Sequence, residues 1–408
     1  MIETPNLPAA PAGVDEDAPT RGRTLQFVMK LSKYCNLRCT YCYEFAFLDD
    51  RRRMSLDQLA TMFRSVADYA ERNDVGQVVF TWHGGEPFMV PLEVYDQIKE
   101  LQRKLMPNLA VMNGIQTNLT ILTDRHLEHL RSGRVFDMIS ISFDVSGDQR
   151  VDKMGRPTTQ TVLDNMQRLI DASVDFGAIC VLARNTVNDS VNLFHFFHDI
   201  HTSCRFLPFH RDTSGTGDSS QTLSQAEIIA ALGAIFDAWV QSPNPVSIRP
   251  LAEFIDVAGK VIADAPRRIY DKETDEWVFV VNPNGDLWGI SEIEDNRFLY
   301  GNVFASPLET VLASDARRAT FAEARRRIDQ LCGGCPYLGH CTGYSMADVT
   351  DGVFGVVERE GCHVRGTLDH IVARFRETGI ADDIGALGAS QAQTPDPGLG
   401  QGGALVVL

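Results

Sequence analysis

Between residues 24 and 209, short apolar and β-branched runs alternate with longer amphipathic stretches. That alternation restricts the chain to successive strand–helix units around a parallel sheet. Six runs read as strands: LQFVMKL (25–31), QVVFTWH (77–83), VMNGIQT (111–117), MISISFD (138–144), FGAICVLA (176–183) and CRFLPF (204–209). Their near-continuous apolar character suits parallel strands covered by helices. Helices follow them, as in residues 55–72 and 161–173, where apolar side chains recur three and four apart. The reading is an α/β fold, a partial barrel of six units spanning 24–245, with a smaller domain over 246–375. Residues 1–23 and 376–408, rich in Pro, Ala, Gly and acid without periodicity, read as disordered ends. With 408 residues, 44% of them hydrophobic, the chain can bury one large core and an appended one.

The chemistry concentrates in KYCNLRCTYCYEF, which places Cys35, Cys39 and Cys42 on the loop after the first strand. An iron–sulfur cube normally takes four thiolates, so three leave one iron open to an outside ligand. A closed zinc site also wants four ligands, and no further Cys or His follows at short spacing. In α/β barrels the reacting groups sit on loops at the C-terminal strand ends. HGGEP follows the second strand and Gln116-Thr117-Asn118 ends the third, while Ser142 and Asp144 end the fourth, so several signals meet at one mouth.

The CxxxCxxC spacing, with Tyr41 before the third cysteine, resembles the signature of radical S-adenosylmethionine (SAM) enzymes. The resemblance implies a 4Fe–4S cluster whose open iron chelates SAM, reductive cleavage to a 5'-deoxyadenosyl radical, and hydrogen abstraction from a substrate. It further implies that Gly84, Gly85 and Glu86 of WHGGEP meet the methionyl end of SAM. By the same resemblance Gln116 and Asn118 line the cofactor, Ser142 bonds ribose and Arg156 pairs with the SAM carboxylate, while Leu182 packs either on adenine or within the core. His83, directly before the glycines, is a candidate for acid–base work or for capping the loop through one ring nitrogen. Relatives that oxidise a sulfatase serine or cysteine usually carry Gln at that place, and many peptide-crosslinking relatives carry His.

CGGCPYLGHC supplies Cys332, Cys335 and Cys341, with Cys362 twenty-one residues beyond. Four thiolates can close an auxiliary 4Fe–4S cluster or a structural zinc site. The spacing, with the hairpin VNPNGDLWGI and GNVF, resembles the auxiliary-cluster domain of the SPASM subgroup of peptide maturases and sulfatase-activating enzymes. That subgroup usually has cysteines where Ile290 and Ser345 stand, and none occurs between Cys204 and Cys332, so its inner cluster is expected to be lost here.

Other features carry less. Cys180 and Cys204 sit on strands expected to be buried, and read as small core residues. His195, His198 and His201, at three-residue spacing among Phe and Ile, read as packing, and Trp277 and Trp288 as cover for the hairpin. A formal charge of −16 weighs against a nucleic-acid substrate. No signal pattern or bilayer-length apolar run is present, so the expectation is a soluble, cytoplasmic protein with no membrane partner. The expected activity is radical SAM modification of a ribosomally made precursor peptide, crosslinked or oxidised, with SAM and two 4Fe–4S clusters as cofactors and a reductant such as flavodoxin or ferredoxin. Since barely thirty residues precede Cys35, recognition of the peptide falls to the barrel mouth, the C-terminal domain or a partner. The alternatives are a sulfatase-maturase-like enzyme, a radical SAM enzyme acting on a small metabolite, and a metal-stapled binding or electron-transfer protein.

Overall fold

The computed structural model describes residues 22–209, 219–243, 246–290 and 295–378. The expected disordered ends lie almost wholly outside these residues. Strand β1 already includes Arg23, however, and the last helix runs to Thr378.

The first half of the chain is built from β1 (Arg23–Ser32), α1 (Leu56–Arg72), β2 (Val75–Gly84), α2 (Leu92–Leu105), β3 (Ala110–Thr117) and α3 (Asp124–Arg131). It continues through β4 (Met138–Ser142), α4 (Thr159–Asp171), β5 (Gly177–Leu182), α5 (Ser190–Asp199), β6 (Cys204–Pro208) and α6 (Gln225–Gln241). After these come β7 (Ile248–Arg249), α7 (Leu251–Ile262), α8 (Lys272–Asp275), β8 (Val278–Val281), β9 (Asp286–Trp288) and β10 (Gly301–Asn302). The last helices are α9 (Leu308–Leu312), α10 (Asp315–Cys332), α11 (Tyr344–Ala347), α12 (Asp351–Glu360) and α13 (His363–Thr378). Local chemistry sets several boundaries. Ser55 and Gln58 close a reciprocal capping box that starts α1, and Ser224 with Glu227 does the same for α6.

All ten strands form one sheet in the order β10-β9-β8-β1-β2-β3-β4-β5-β6-β7. Strands β1 to β7 pair in parallel, as do β1 and β8, giving a mixed α/β architecture of the partial TIM type. The sheet does not break at the expected division at residue 245. β7 still pairs with β6, and β8 returns to the opposite edge to pair with β1. The hairpin read from the sequence is β8–β9, joined antiparallel and extended by β10.

Alternation along the strands separates two faces. Phe27, Met29 and Leu31 of β1, Val78, Phe80 and Trp82 of β2, and Ala178, Cys180 and Leu182 of β5 join the large core under the helices. The intervening residues turn inward, and at the C-terminal strand ends these are Lys30, His83, Gln116 and Ser142. The apolar runs therefore hide a polar inner layer at the barrel mouth.

Candidate active site

The loop after β1 carries Cys35, Cys39 and Cys42 into a small apolar cluster with Leu37, Tyr41 and Leu48. Burial pushes the Cys35 and Cys42 thiols up to about 12 and raises Cys39 as well, where the nearby Arg150 charge opposes it. Such thiols ionise when a metal centre supplies positive charge. A mononuclear zinc site would hold its sulfurs roughly 4 Å apart. The loop offers three thiols, one short of the four ligands of a closed zinc site. The donor set therefore suits three corners of a cluster better than a single ion.

Gly84 and Gly85 let two loops touch. Gly84 has φ +109°, and a Cβ on Gly85 would stand 2.1 Å from the Tyr34 carbonyl oxygen. In its place the Gly85 amide donates to Ser32 O and the Glu86 amide to Tyr34 O, both at 2.9 Å. The glycines press the GGEP turn against the cysteine loop. Glu86 is buried, and its carboxylate accepts from Phe88 N at 2.9 Å, Thr117 Oγ1 at 2.7 Å and Asn118 N at 2.7 Å. Burial pushes that carboxyl up and the three donors pull it back. Its side chain is thus committed to tying the turn to the end of β3.

Around this frame the structure gathers most of the expected contacts. The Asn118 amide lies 3.8 Å from the Cys35 sulfur and donates to Asn36 Oδ1 at 3.1 Å. Gln116 donates to Ser142 Oγ at 3.0 Å, while its own Oε1 is buried with no hydrogen-bond partner. Tyr41 donates its hydroxyl to Asp144 Oδ2, an oxygen that also accepts from Arg150 Nε at 3.0 Å. Asp144 Oδ1 takes the Val181 amide at 2.9 Å.

One expectation is redirected and one alternative is decided. Arg156 is exposed on a turn and pairs with Asp152 at 2.7 Å. The strand pair Val151–Pro157 folds it to the outer limb, and the buried guanidinium is Arg150, beside Asp144, Cys39 and the Tyr41 ring. Burial works against the Arg150 charge, and Asp144 together with Tyr41, Cys39 and Cys180 more than offsets this and keeps it charged. Leu182 is fully buried in the helix-facing core, and Val181 is its inward neighbour. A one-residue shift on a strand moves a side chain to the other face.

His83 takes the loop-capping arrangement: its Nδ1 accepts the Gly84 amide at 2.6 Å, which leaves the proton on Nε2. Burial and the Lys30 charge lower it to about 4, so the ring is neutral near pH 7. Lys30, fully buried and opposite His83 across β1–β2, pairs with Glu44, which also binds Lys33 at 3.1 Å. Burial opposes the Glu44 charge, but the two ammonium groups hold its carboxyl below the usual range. This network was missed in the sequence. Its one signal was a lysine alone in an apolar strand, which must find a carboxylate to be buried.

In the second region Cys332, Cys335, Cys341 and Cys362 all line one cavity of about 500 Å³ between the end of α10 and the start of α13. Burial pushes Cys332 up to about 12 and raises Cys341 and Cys362, as at the first site. The four-thiol set suits a closed cluster. Ser345 lines the same cavity, whereas Ile290 is buried with Val28, Val278 and Val280, against which Tyr344 packs. Close by, Lys272 pairs with Asp348 and with Glu276 at 3.2 Å, and Glu276 takes Arg317 at 2.7 Å and the Tyr300 hydroxyl at 2.8 Å. Cys180 and Cys204 are buried core thiols, and Trp288 is buried with its indole on Asp295 O. His195, His198 and His201 form no three-ligand group.

Residues 29–197 match the Radical SAM superfamily. The chain carries a radical SAM domain. It is similar to a serine-type anaerobic sulfatase-maturating enzyme of Bacteroides thetaiotaomicron, 24% identical over 340 residues, covering 78% of this chain and 81% of the relative. Its fold is similar to that of native anSMEcpe with bound AdoMet and the Cp18Cys peptide, with a TM-score of 0.69 and 21% identity over 89% of this chain and all of that one. A more distant fold neighbour is Streptococcus suis SuiB bound to precursor peptide SuiA, with a TM-score of 0.51 and 16% identity over 72% of this chain and 65% of that one. Among the described residues no helix is long and apolar enough to cross a membrane.

Cys35, Cys39 and Cys42 would hold the 4Fe–4S cluster that a radical SAM domain implies, and with SAM bound that cluster would supply one-electron cleavage of a sulfonium and a carbon radical able to take hydrogen. The chain's own part is to hold the cysteine loop through Gly85 and Glu86, and to bury one guanidinium beside it.

Proposed function

We propose that this enzyme modifies a ribosomally made precursor peptide by radical hydrogen abstraction, giving a crosslinked or oxidised product. The observation that carries the reading is the mouth itself: three cysteines, a clamped GGEP turn and the inward Gln116–Ser142 pair lie at one end of one barrel. Support for a peptide substrate comes from the relatives, since sulfatase-maturating enzymes act on a protein and the fold neighbours hold Cp18Cys and SuiA peptides. His83 and the positions of Ile290 and Ser345 favour a crosslinking-type product over sulfatase maturation.

In this reading Arg150, with Asp144 and Tyr41 behind it, pairs with the SAM carboxylate through its planar fork. Gln116 Oε1 and Ser142 serve the cofactor's polar groups, and Cys332, Cys335, Cys341 and Cys362 hold an auxiliary relay cluster. A low-potential electron carrier completes the set of partners, in the cytoplasm. The test is turnover of candidate precursor peptides followed by mass spectrometry with a carbonyl-reactive probe. A peptide that loses two hydrogens and resists the probe supports the crosslinking reading. A product captured by the probe would instead indicate a sulfatase-type aldehyde.

A further inference from the structure

The inner face of the sheet carries two cations well away from the cysteine loop. On β6, Cys204 and Phe206 join the core under the helices, so alternation turns Arg205 inward between them. On β7, Ile248 lies in the same core and Arg249 turns inward. The two arginines are register partners on neighbouring strands, and their row continues through Ile179 of β5 to Ser142 of β4. Ser142 is the hydroxyl that takes the Gln116 amide at the mouth. Two strand spacings, about 10 Å, separate it from Arg205 along that row.

Both arginines are half-buried. Across the barrel interior Tyr344 of α11 packs against the inward residues Val28 and Val280 of β1 and β8, close enough for the Arg205 charge to act on its hydroxyl. Arg249 reaches Glu253 of α7 at 3.4 Å. Burial pulls the Arg205 guanidinium below its ordinary value; Glu253 opposes this, the Arg249 charge adds to it, and the balance stays against the cation. At Arg150 the balance is the reverse, because the surrounding groups outweigh burial. A guanidinium nevertheless keeps its proton, so like charges stand side by side on an inner wall. A carboxylate entering between them meets planar forks built for bidentate pairing, and offsets both the burial and the repulsion.

Resting on the peptide-modifying reading above, we propose that Arg205 and Arg249 bind a carboxylate of the substrate peptide, close in sequence to the residue that loses hydrogen. An extended peptide advances about 3.3–3.6 Å per residue, so 10 Å along the row corresponds to about three residues. The carboxylate is that of an aspartate or glutamate side chain or of the peptide's C-terminus. The two arginines thereby fix which part of a peptide reaches the mouth.

The test is calorimetric titration of the reconstituted, SAM-loaded enzyme with four compounds. These are a capped glycine–alanine pentapeptide with a central aspartate, its asparagine counterpart, the asparagine peptide with a free C-terminal carboxylate, and glutarate. One of the two peptide carboxylates should bind at least tenfold tighter than the neutral peptide, and which one does so identifies the source. In Arg205→Gln/Arg249→Gln the three peptides should bind within twofold of one another, while SAM cleavage without peptide stays within twofold of the parent. If the variant has lost SAM cleavage, arginine modification of the parent by phenylglyoxal decides. The preferred peptide should then slow modification of Arg205 and Arg249 at least fivefold, and the neutral peptide should not. Equal binding of the three peptides by the parent, a preference that survives in a variant still cleaving SAM, or absence of protection overturns the proposal. Glutarate bound through both arginines with no peptide preferred would overturn it together with the peptide reading. A crosslinked precursor with no carboxylate preference would remove the arginine site alone.

Discussion

Replacing Gly85 with Ala should detach the GGEP turn from the cysteine loop. The new Cβ would stand 2.1 Å from Tyr34 O, 2.4 Å from Tyr34 C and 2.5 Å from Lys33 O, all backbone atoms that cannot swing aside. Relief requires a shift of about 1 Å, a typical overpacking strain of about 1–3 kcal/mol. It also breaks the two 2.9 Å bonds from Gly85 N to Ser32 O and from Glu86 N to Tyr34 O, each contributing about 0.5–1.5 kcal/mol. The expected local cost is about 2–6 kcal/mol, which lowers the population of the assembled site at least thirtyfold. The assay is iron bound per chain after anaerobic reconstitution, together with 5'-deoxyadenosine formed on reduction. Gly334→Ala is the control, because nothing lies within 4 Å of a Cβ there although two auxiliary cysteines flank it. Iron and turnover in Gly85→Ala equal to those of the parent would refute the clamp argument, as would an equally damaged Gly334→Ala.

Arg150→Met should lower SAM affinity at least tenfold, since it removes the fork proposed for the SAM carboxylate, and should also cost about 3–5 kcal/mol of stability by leaving Asp144 buried without its cation, while Arg156→Met should stay within twofold in affinity. Calorimetric SAM titration of both variants checks this. The His83 value of about 4 lies below the ordinary 6.5, so between those values the unfolded state binds the extra proton and folding stability falls as pH falls. From pH 7 to pH 5 the loss is about 2 kcal/mol, read as a lowered urea midpoint that His83→Gln should largely abolish. Cys335→Ala should remove the auxiliary cluster's iron and stop peptide product, yet spare uncoupled SAM cleavage; full product formation by that variant would remove the relay role.

The strands and the two cysteine sets were legible because buried parallel strands and clustered thiols leave local signals in the sequence. The return of β8 to β1 was not, since four residues of Val and Phe carry no information about which edge they join. Arg150 and Arg156 lie six apart in one loop, and only the hairpin between them decides which guanidinium is buried. Leu182 was open between adenine and the core, and a strand's period of two puts it in the core with Val181 facing inward. The inner polar layer was hidden for a related reason. Lys30 and His83 stand among apolar neighbours that face the other way, and their partner Glu44 comes from the loop.

The most direct measurement is SAM cleavage by the anaerobically reconstituted, dithionite-reduced enzyme, compared with its Cys39→Ala variant, with iron and sulfide counted in both. The account predicts about eight irons per parent chain, 5'-deoxyadenosine from the parent, and none from the variant, which keeps only the auxiliary iron. Undiminished 5'-deoxyadenosine from Cys39→Ala, or zinc in place of iron with SAM left intact, would contradict it.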